Sequence, residues 1–457
     1  MELNKMHETT KVGTKWKKMS TIVLPILITQ VALYLMSFFD VLMSGKYSTQ
    51  DLAGVSIGSS IWLPVYTGLS GILTSITPIV AQFVGAKREK EASATVKQGF
   101  YVAILLAIII FTGLTLSLKP LLKGMSLEPD VYRVAYHYLI AMCFGLLPLF
   151  IYSVLRCFID ALGQTRVSML ITLMAAPINI VFNYLFIFGH LGFPELGGVG
   201  SGVASAITYW LICGAAIIIT MKKTPFADFS LFSKLPRPNP TKTFEIVKLG
   251  LPIGLAIFAE SSIFSVVTMM MSKYSTEVIG AHQIAMNFAS LLYMIPLSIS
   301  MGATILVGFE AGAKRFQDAK TYSRLCTITA VTFCMISLTV LLIFKGHIAS
   351  VYSNDVQVVR LAGHFLTYAA FFQLSDAIQA PIQGALRGYK DVTITFIMAL
   401  VSYWIIGLPV GILLANMTNL GPYGYWIGLI AGLAMGAVTL SIRLRFVQRK
   451  MENAQVL

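Results

Sequence analysis

Charge is what this sequence has least of. Charged residues make up 12% of its 457 residues, hydrophobic residues make up 56%, and the mean hydropathy is +0.77. A water-soluble domain carries about 25% charged residues. The deficit excludes a chain of ordinary soluble domains, because most of the apolar surface has to face lipid. Several motifs are also missing. No GxxxxGK[ST] occurs, which excludes P-loop ATP-driven transport. There is no DxxD pair, and His137, His190, His282, His347 and His364 are scattered, which argues against a membrane transferase and against an enzyme generally. The five cysteines (Cys143, Cys157, Cys213, Cys326 and Cys334) have no CxxC spacing and sit in or beside apolar segments. They read as packing residues rather than metal ligands or a disulfide framework. No short apolar region followed by a small-residue cleavage site opens the chain, so its first apolar stretch is retained as a spanning helix.

What is present is a series of long apolar segments. A spanning helix needs about 20 mostly apolar residues. Segments near 20–44, 53–84, 98–118, 134–158, 167–189, 199–221, 246–272, 279–310, 325–344, 357–386, 393–416 and 423–442 meet that requirement. The net charge of +14 supports this division. With twelve spans and a cytoplasmic N-terminus, only Lys46, Lys119, Lys123, Arg133, Lys273, Lys345 and Arg360 fall outside. The other 27 of the 34 Lys and Arg residues lie inside, as the positive-inside rule requires. Short basic runs between apolar stretches orient a membrane protein and leave no basic domain to bind nucleic acid. A multi-pass protein of the bacterial cytoplasmic (inner) membrane, with both termini cytoplasmic, is expected.

The longest polar interruption, 222–245, holds Lys222, Lys223, Pro225, Pro236, Pro238 and Pro240, and reads as a cytoplasmic linker. It divides the chain into a cytoplasmic N-terminus (1–19), a six-helix lobe (20–221), the linker (222–245), a second six-helix lobe (246–442) and a cytoplasmic C-terminus (443–457). A shift of 227 residues brings the lobes into register. Leu24-Pro25-Ile26 meets Leu251-Pro252-Ile253, Lys46-Tyr47-Ser48-Thr49 meets Lys273-Tyr274-Ser275-Thr276, and Gly85-Ala86-Lys87-Arg88 meets Gly312-Ala313-Lys314-Arg315. An even number of spans per repeat makes the two bundles parallel, an architecture of carriers that work by alternating access. The predicted fold class is an all-α integral membrane protein with twelve transmembrane helices in two parallel six-helix bundles.

Within so apolar a chain, each intramembrane acid is informative. An ionised side chain at the bilayer centre costs several kcal/mol, so such residues face cavities and serve ion or proton movement. Asp40, Glu260 and Asp376 have no Lys or Arg within one helical turn of sequence. Each must be protonated, bind a cation or meet a distant partner. Asp160, Glu310 and Asp355 lie near segment ends and are expected to be solvated, with Arg156 placed for an i,i+4 pair with Asp160. Asn179 and Asn183, also i,i+4, share one helix face just after Pro177, and Ser205 lies in the next span. Asp40, Asn179, Asn183 and Ser205 are expected to converge on one polar pocket. Hard oxygens suit Na⁺ and a shielded carboxylate suits H⁺; asparagines that simply join helices are the alternative. Trp62, Phe288, Phe371, Phe372, Tyr403 and Trp404 offer stacking surfaces for an organic cation, or else pack and anchor helices. The 21 methionines offer an adaptable apolar lining or lipid-facing surface.

Three stretches resemble a known family. Asp40 to Arg88 (DVLMSGKYSTQDLAGVSIGSSIWLPVYTGLSGILTSITPIVAQFVGAKR) is similar to the first two spans of multidrug and toxic compound extrusion (MATE) transporters of the NorM type. Gly280 to Arg315 (GAHQIAMNFASLLYMIPLSISMGATILVGFEAGAKR) resembles the eighth span, and QGALRGYKD at 383–391 resembles the connection from the tenth to the eleventh. The resemblance implies export of cationic, lipophilic drugs in exchange for Na⁺ or H⁺, with no other cofactor, no ATP and a monomeric carrier. It implies that Asp40, Asn179 and Asn183 form the N-lobe cation site, holding the metal if Na⁺ couples, and that Glu260 and Asp376 are the C-lobe acids. Ser205 joins the coupling set, and Asp40, Trp62, Gln283, Phe288, Phe372 and Tyr403 are the expected drug contacts. Phe372 stands where some relatives have a tyrosine, which removes a hydroxyl from any C-lobe Na⁺ site. A lipid-linked oligosaccharide flippase of the wider superfamily is the competing expectation. It is disfavoured because the spans hold almost no central Lys or Arg to grip a pyrophosphate.

Overall fold

The structure, a computed structural model, describes residues 11–233 and 236–456. Residues 1–10 of the expected N-terminal tail, residues 234 and 235 of the linker, and Leu457 lie outside the described residues. Among the described residues there are twelve long helices and no β-strand. They are α1 (Val12–Tyr47), α2 (Thr49–Gly85), α3 (Glu89–Gly124), α4 (Pro129–Phe144 continued by Leu146–Ala161), α5 (Thr165–Phe188) and α6 (Val199–Lys222). Then follow α7 (Pro240–Met271), α8 (Thr276–Gly312), α9 (Phe316–Tyr352), α10 (Val356–Gly388), α11 (Thr393–Met417) and α12 (Tyr423–Val456).

Ten of these helices are long and apolar enough to cross a bilayer alone. The two pieces of α4, bent by 49° around Gly145, cross as one. The twelfth, α10, is too polar to qualify by composition, although its 33 residues reach about 50 Å. The reason lies in its surroundings. It packs against α8, α9 and α12, and its Gln373, Asp376, Gln379 and Gln383 are buried. A helix enclosed by other helices needs no apolar coat against lipid. The chain is therefore an all-α integral membrane protein with twelve transmembrane helices.

The repeat seen in the sequence governs helix ends as well. The 227-residue shift carries Thr49 and Gly85, the ends of α2, onto Thr276 and Gly312, the ends of α8. It carries Pro129 and Ala161 of α4 onto Val356 and Gly388 of α10. Ser48 caps α2 by accepting from the Asp51 amide at 3.0 Å, and Ser275 caps α8 by accepting from the Val278 amide at 3.5 Å. Lys87 and Lys314, each just past a helix end in the shared Gly-Ala-Lys-Arg sequence, both adopt φ 58°. Both turns thus use a left-handed residue to stop the helix.

The chain packs as two compact units. Within the described residues, one comprises residues 24–254 and the other joins residues 11–23 to 255–456. The helical stretch before Leu24 therefore packs with the second unit, and that before Leu255 with the first. In the first unit α4 is central, touching α2, α3, α5 and α6. Residues of 222–245 are fastened to this unit: Ser93 Oγ donates to the Phe229 carbonyl at 2.6 Å, and Gln98 Nε2 to the Arg237 carbonyl at 3.2 Å. In the second unit α10 is central. Buried Lys15 reaches Asp318 Oδ1 at 2.6 Å there. In α11, residues Val401–Gly407 form a π-helical turn, a rare local widening often found at functional sites.

Two acids differ from expectation. Asp160 and Glu310 are buried, not solvated. Asp160 accepts from Ser168 Oγ at 2.6 Å and pairs with Arg156 at 3.6 Å, while Glu310 is bonded by Arg315. A helix end inside a bundle is still shielded by its neighbours, so these carboxylates need cationic partners. Asp355 is exposed and caps α10, accepting from the Gln357 and Val358 amides at 2.8 and 3.3 Å.

Candidate functional site

In the first unit four side chains from three helices meet. Asp40 on α1 is half-buried. Asn183 Nδ2 on α5 donates to Asp40 Oδ1 at 2.6 Å, and Ser205 Oγ on α6 donates to Asp40 Oδ2 at 3.2 Å. One turn earlier on α5, Asn179 Nδ2 donates to Ser205 Oγ at 3.2 Å, and its Oδ1 accepts from Asn183 Nδ2 at 3.2 Å. Asn179 and Asn183 are wholly buried. The i,i+4 spacing turns both amides to one side, and α1 and α6 bring the carboxylate and the hydroxyl to them.

The hydrogen-bond directions define the chemistry. Both carboxylate oxygens of Asp40 receive a donor. Asn183 spends its nitrogen on two oxygens, while its own buried Oδ1 has no hydrogen-bond partner. An unmatched buried acceptor is costly. Rotating the Asn183 amide by half a turn would present that oxygen to the carboxylate side. The cluster would then offer Asp40, Asn179 and Asn183 oxygens together, the hard donors a small cation takes. The residues thus fit both a protonatable carboxylate and an oxygen-lined cation position.

Sequence reasoning missed Tyr138, on α4 beside this cluster. Its hydroxyl lies 3.2 Å from Ser59 Oγ, and its phenol is close enough to Asp40 to feel that charge. A Cβ at position 58 would come within 2.4 Å of the Tyr138 ring, so Gly58 is what admits it. With 19 tyrosines in the chain, nothing marked this one.

The second unit holds the other acids. Glu260 on α7 is half-buried and Asp376 on α10 is buried, and each carboxylate feels the other's charge. Glu260 also feels Arg387, eleven residues beyond Asp376; three helical turns return that residue to within about 20° of the same face of α10. Arg387 is thus the distant charge partner that sequence proximity did not reveal. The Tyr403 hydroxyl lies 3.5 Å from Glu260 Oε1, and Gln379 on α10 donates to the same hydroxyl. The two polar sites are not copies. The repeat carries Asp40 onto Val267, Asn179 onto Ile406 and Asn183 onto Val410, and it carries Glu260 and Asp376 back onto Leu33 and Leu149.

The aromatic candidates divide by surroundings. Trp62 is buried and stacks on Tyr66 at 6.4 Å, with Tyr66 on Phe150 at 6.2 Å. Phe372 is buried against Phe264 at 5.6 Å and Trp426 at 6.2 Å, so a phenyl ring without a hydroxyl suits its place. Trp404 donates to the Ala259 carbonyl at 3.1 Å. Phe288 is half-buried, and Gln283 and Phe371 are exposed.

Two six-helix repeats, each burying its own polar cluster among spanning helices, define a duplicated polytopic membrane protein. The MatE family profile matches residues 25–185 and 252–413, one segment in each repeat. Two curated relatives, both named probable multidrug resistance protein NorM, are 54% identical. That of Halalkalibacterium halodurans aligns over 98% of this chain and 98% of its own length, and that of Bacillus licheniformis over 98% and 100%. A relative of the same name from Bacillus subtilis is 52% identical over 98% of this chain and 100% of its own. Among solved structures, a multidrug resistance MATE family transporter in an outward-facing conformation superposes with a TM-score of 0.88 at 16% identity, covering 98% and 100% of the two chains. A eukaryotic MATE transporter gives 0.85 at 19%, covering 97% and 99%. The chain belongs to the multidrug and toxic compound extrusion family and is of the NorM type.

Proposed function

We propose that this protein is a secondary multidrug exporter, carrying cationic lipophilic compounds out of the cell in antiport with Na⁺ or H⁺. The observation that carries the reading is the Asp40 cluster: a carboxylate inside a spanning helix, bonded by Asn183 and Ser205 with Asn179 behind them, beside a buried carbonyl oxygen with no partner. A purely structural cluster gains nothing from an orphaned acceptor, whereas one that must accept and release a cation does. Glu260 and Asp376 form a second, unlike site whose charge Arg387 partly offsets. The membrane is the cytoplasmic one, with both termini inside, as the distribution of Lys and Arg supports.

In this reading access alternates between the two sides of the membrane. Cation or proton uptake at Asp40 favours the arrangement with low drug affinity, so drug leaves outside. Reciprocity then requires drug binding to lower cation affinity by the same factor. The test is ethidium efflux from vesicles carrying an imposed Na⁺ gradient, then an imposed pH gradient, for the unaltered protein and Asp40→Asn. One gradient should drive efflux, and the substitution should abolish that dependence. Unchanged coupling in Asp40→Asn would falsify the role given to the cluster.

A further inference from the structure

The second unit contains an oriented chain of three side chains from three helices. Gln379 Nε2 on α10 donates to the Tyr403 hydroxyl on α11, which in turn donates to Glu260 Oε1 on α7. An amide nitrogen only donates, so the phenol oxygen must accept at that end, and its single hydrogen is left for the carboxylate. With the Gln379 amide reversed, Tyr403 would donate to Gln379 Oε1 instead, and Glu260 would lose its donor. The setting of that amide therefore decides whether Glu260 has a hydroxyl.

Packing permits the setting. Gln379 is 1% exposed, and its Oε1 has no hydrogen-bond partner. That oxygen faces Gly436 on α12, where a Cβ would stand only 2.6 Å away. The absent side chain at 436 leaves space for the carbonyl end of the amide, while the nitrogen end stays on Tyr403. Tyr403 itself belongs to the π-helical turn of α11, which changes its bearing relative to a regular helix, and it is 2% exposed. An orphaned acceptor, a glycine matched to it and a local π-turn all serve the same hydroxyl.

We propose that Tyr403 is a positioning residue for Glu260, oriented by Gln379 and Gly436, and that it sets how readily Glu260 takes up and releases the coupling cation. The proposal rests on the reading of Glu260 as a coupling residue. The other groups facing Glu260 are Arg387 and Asp376 from α10 and Tyr293 from α8. They stay in place in every variant below and supply a constant background.

The test uses the full chain in proteoliposomes. Ethidium efflux is followed while the driving protons, and separately Na⁺, are varied. Tyr403→Phe keeps the ring and removes only the hydroxyl. It should shift the cation concentration at half-maximal efflux about fivefold, the scale of one long bond to a charged group, with the KM for ethidium changed less than twofold. Gln379→Leu removes the donor that orients and polarises the phenol but leaves its hydrogen for Glu260, so it should give a smaller shift in the same direction, which keeps the question open to test if Tyr403→Phe fails to fold. In a Glu260→Gln background the added Tyr403→Phe change should have no further effect. An unshifted cation dependence in both Tyr403→Phe and Gln379→Leu, while Glu260→Gln alters it, overturns the proposal. So does an effect of Tyr403→Phe that persists undiminished in Glu260→Gln. A Glu260→Gln protein with unaltered cation dependence overturns the reading of Glu260 itself, and this proposal with it.

Discussion

Replacing Asn183 by leucine tests the Asp40 cluster through its shortest hydrogen bond. Leucine shares the branching of asparagine at Cγ but is larger, so at this buried position a folding control has to accompany the substitution. The change removes the 2.6 Å bond from Nδ2 to Asp40 Oδ1 and the 3.2 Å bond to Asn179 Oδ1. A hydrogen bond to a charged group contributes about 1.5–3 kcal/mol. At about 1.4 kcal/mol per decade, the cation dependence of efflux should move by roughly tenfold or more. The Ser205 bond at 3.2 Å remains but is too long to compensate fully. The sign depends on the ion. If Na⁺ couples, the site loses an oxygen ligand, and half-maximal efflux requires about tenfold more Na⁺. If protons couple, the ionised carboxylate loses a donor, and half-maximal efflux occurs at about tenfold lower proton concentration. The unaltered protein and Asn183→Leu are compared in proteoliposomes under each gradient, with thermal denaturation in detergent as a control for folding. A folded variant with unchanged dependence on both cations would refute the reasoning.

Three further outcomes follow from other parts of the fold. Arg156→Met leaves Asp160 buried with Ser168 as its remaining partner, and should cost about 3–5 kcal/mol, read as a lowered melting temperature; an unchanged one contradicts the pairing. Gly58→Val places a side chain where a Cβ already lies 2.4 Å from the Tyr138 ring. It should destabilise by about 1–3 kcal/mol and weaken cation-dependent efflux by displacing Tyr138 from beside Asp40. In intact cells a membrane-impermeant maleimide should label Lys46→Cys and leave Lys222→Cys unlabelled, and the reverse pattern would invert the topology.

The twelve helices were legible because long apolar runs and basic loops are local properties. The duplication was legible too, since matching sequence at one offset produces matching caps and turns, as at Ser48 and Ser275 or Lys87 and Lys314. The spacing of Asn179 and Asn183 was enough to place both amides on one face, and Asp40 stood out as an unpaired acid. Other features could not be read so directly. Asp160 and Glu310 looked like solvated helix ends, because sequence does not show that a helix end is covered by its neighbours. Arg387 as a charge partner of Glu260, Tyr138 beside Asp40 and the Gln379–Tyr403–Glu260 chain all join residues far apart in sequence.

The sequence alone determined that this chain lies in a membrane, how often it crosses, and that its acids are too few to be incidental. Those properties sum over short stretches, and lipid enforces them segment by segment. Only the tertiary structure decided which donor each acid meets and which acceptors stay unmatched. Hydrogen bonds depend on a few tenths of an ångström and on the direction of an amide, and helix packing alone sets both.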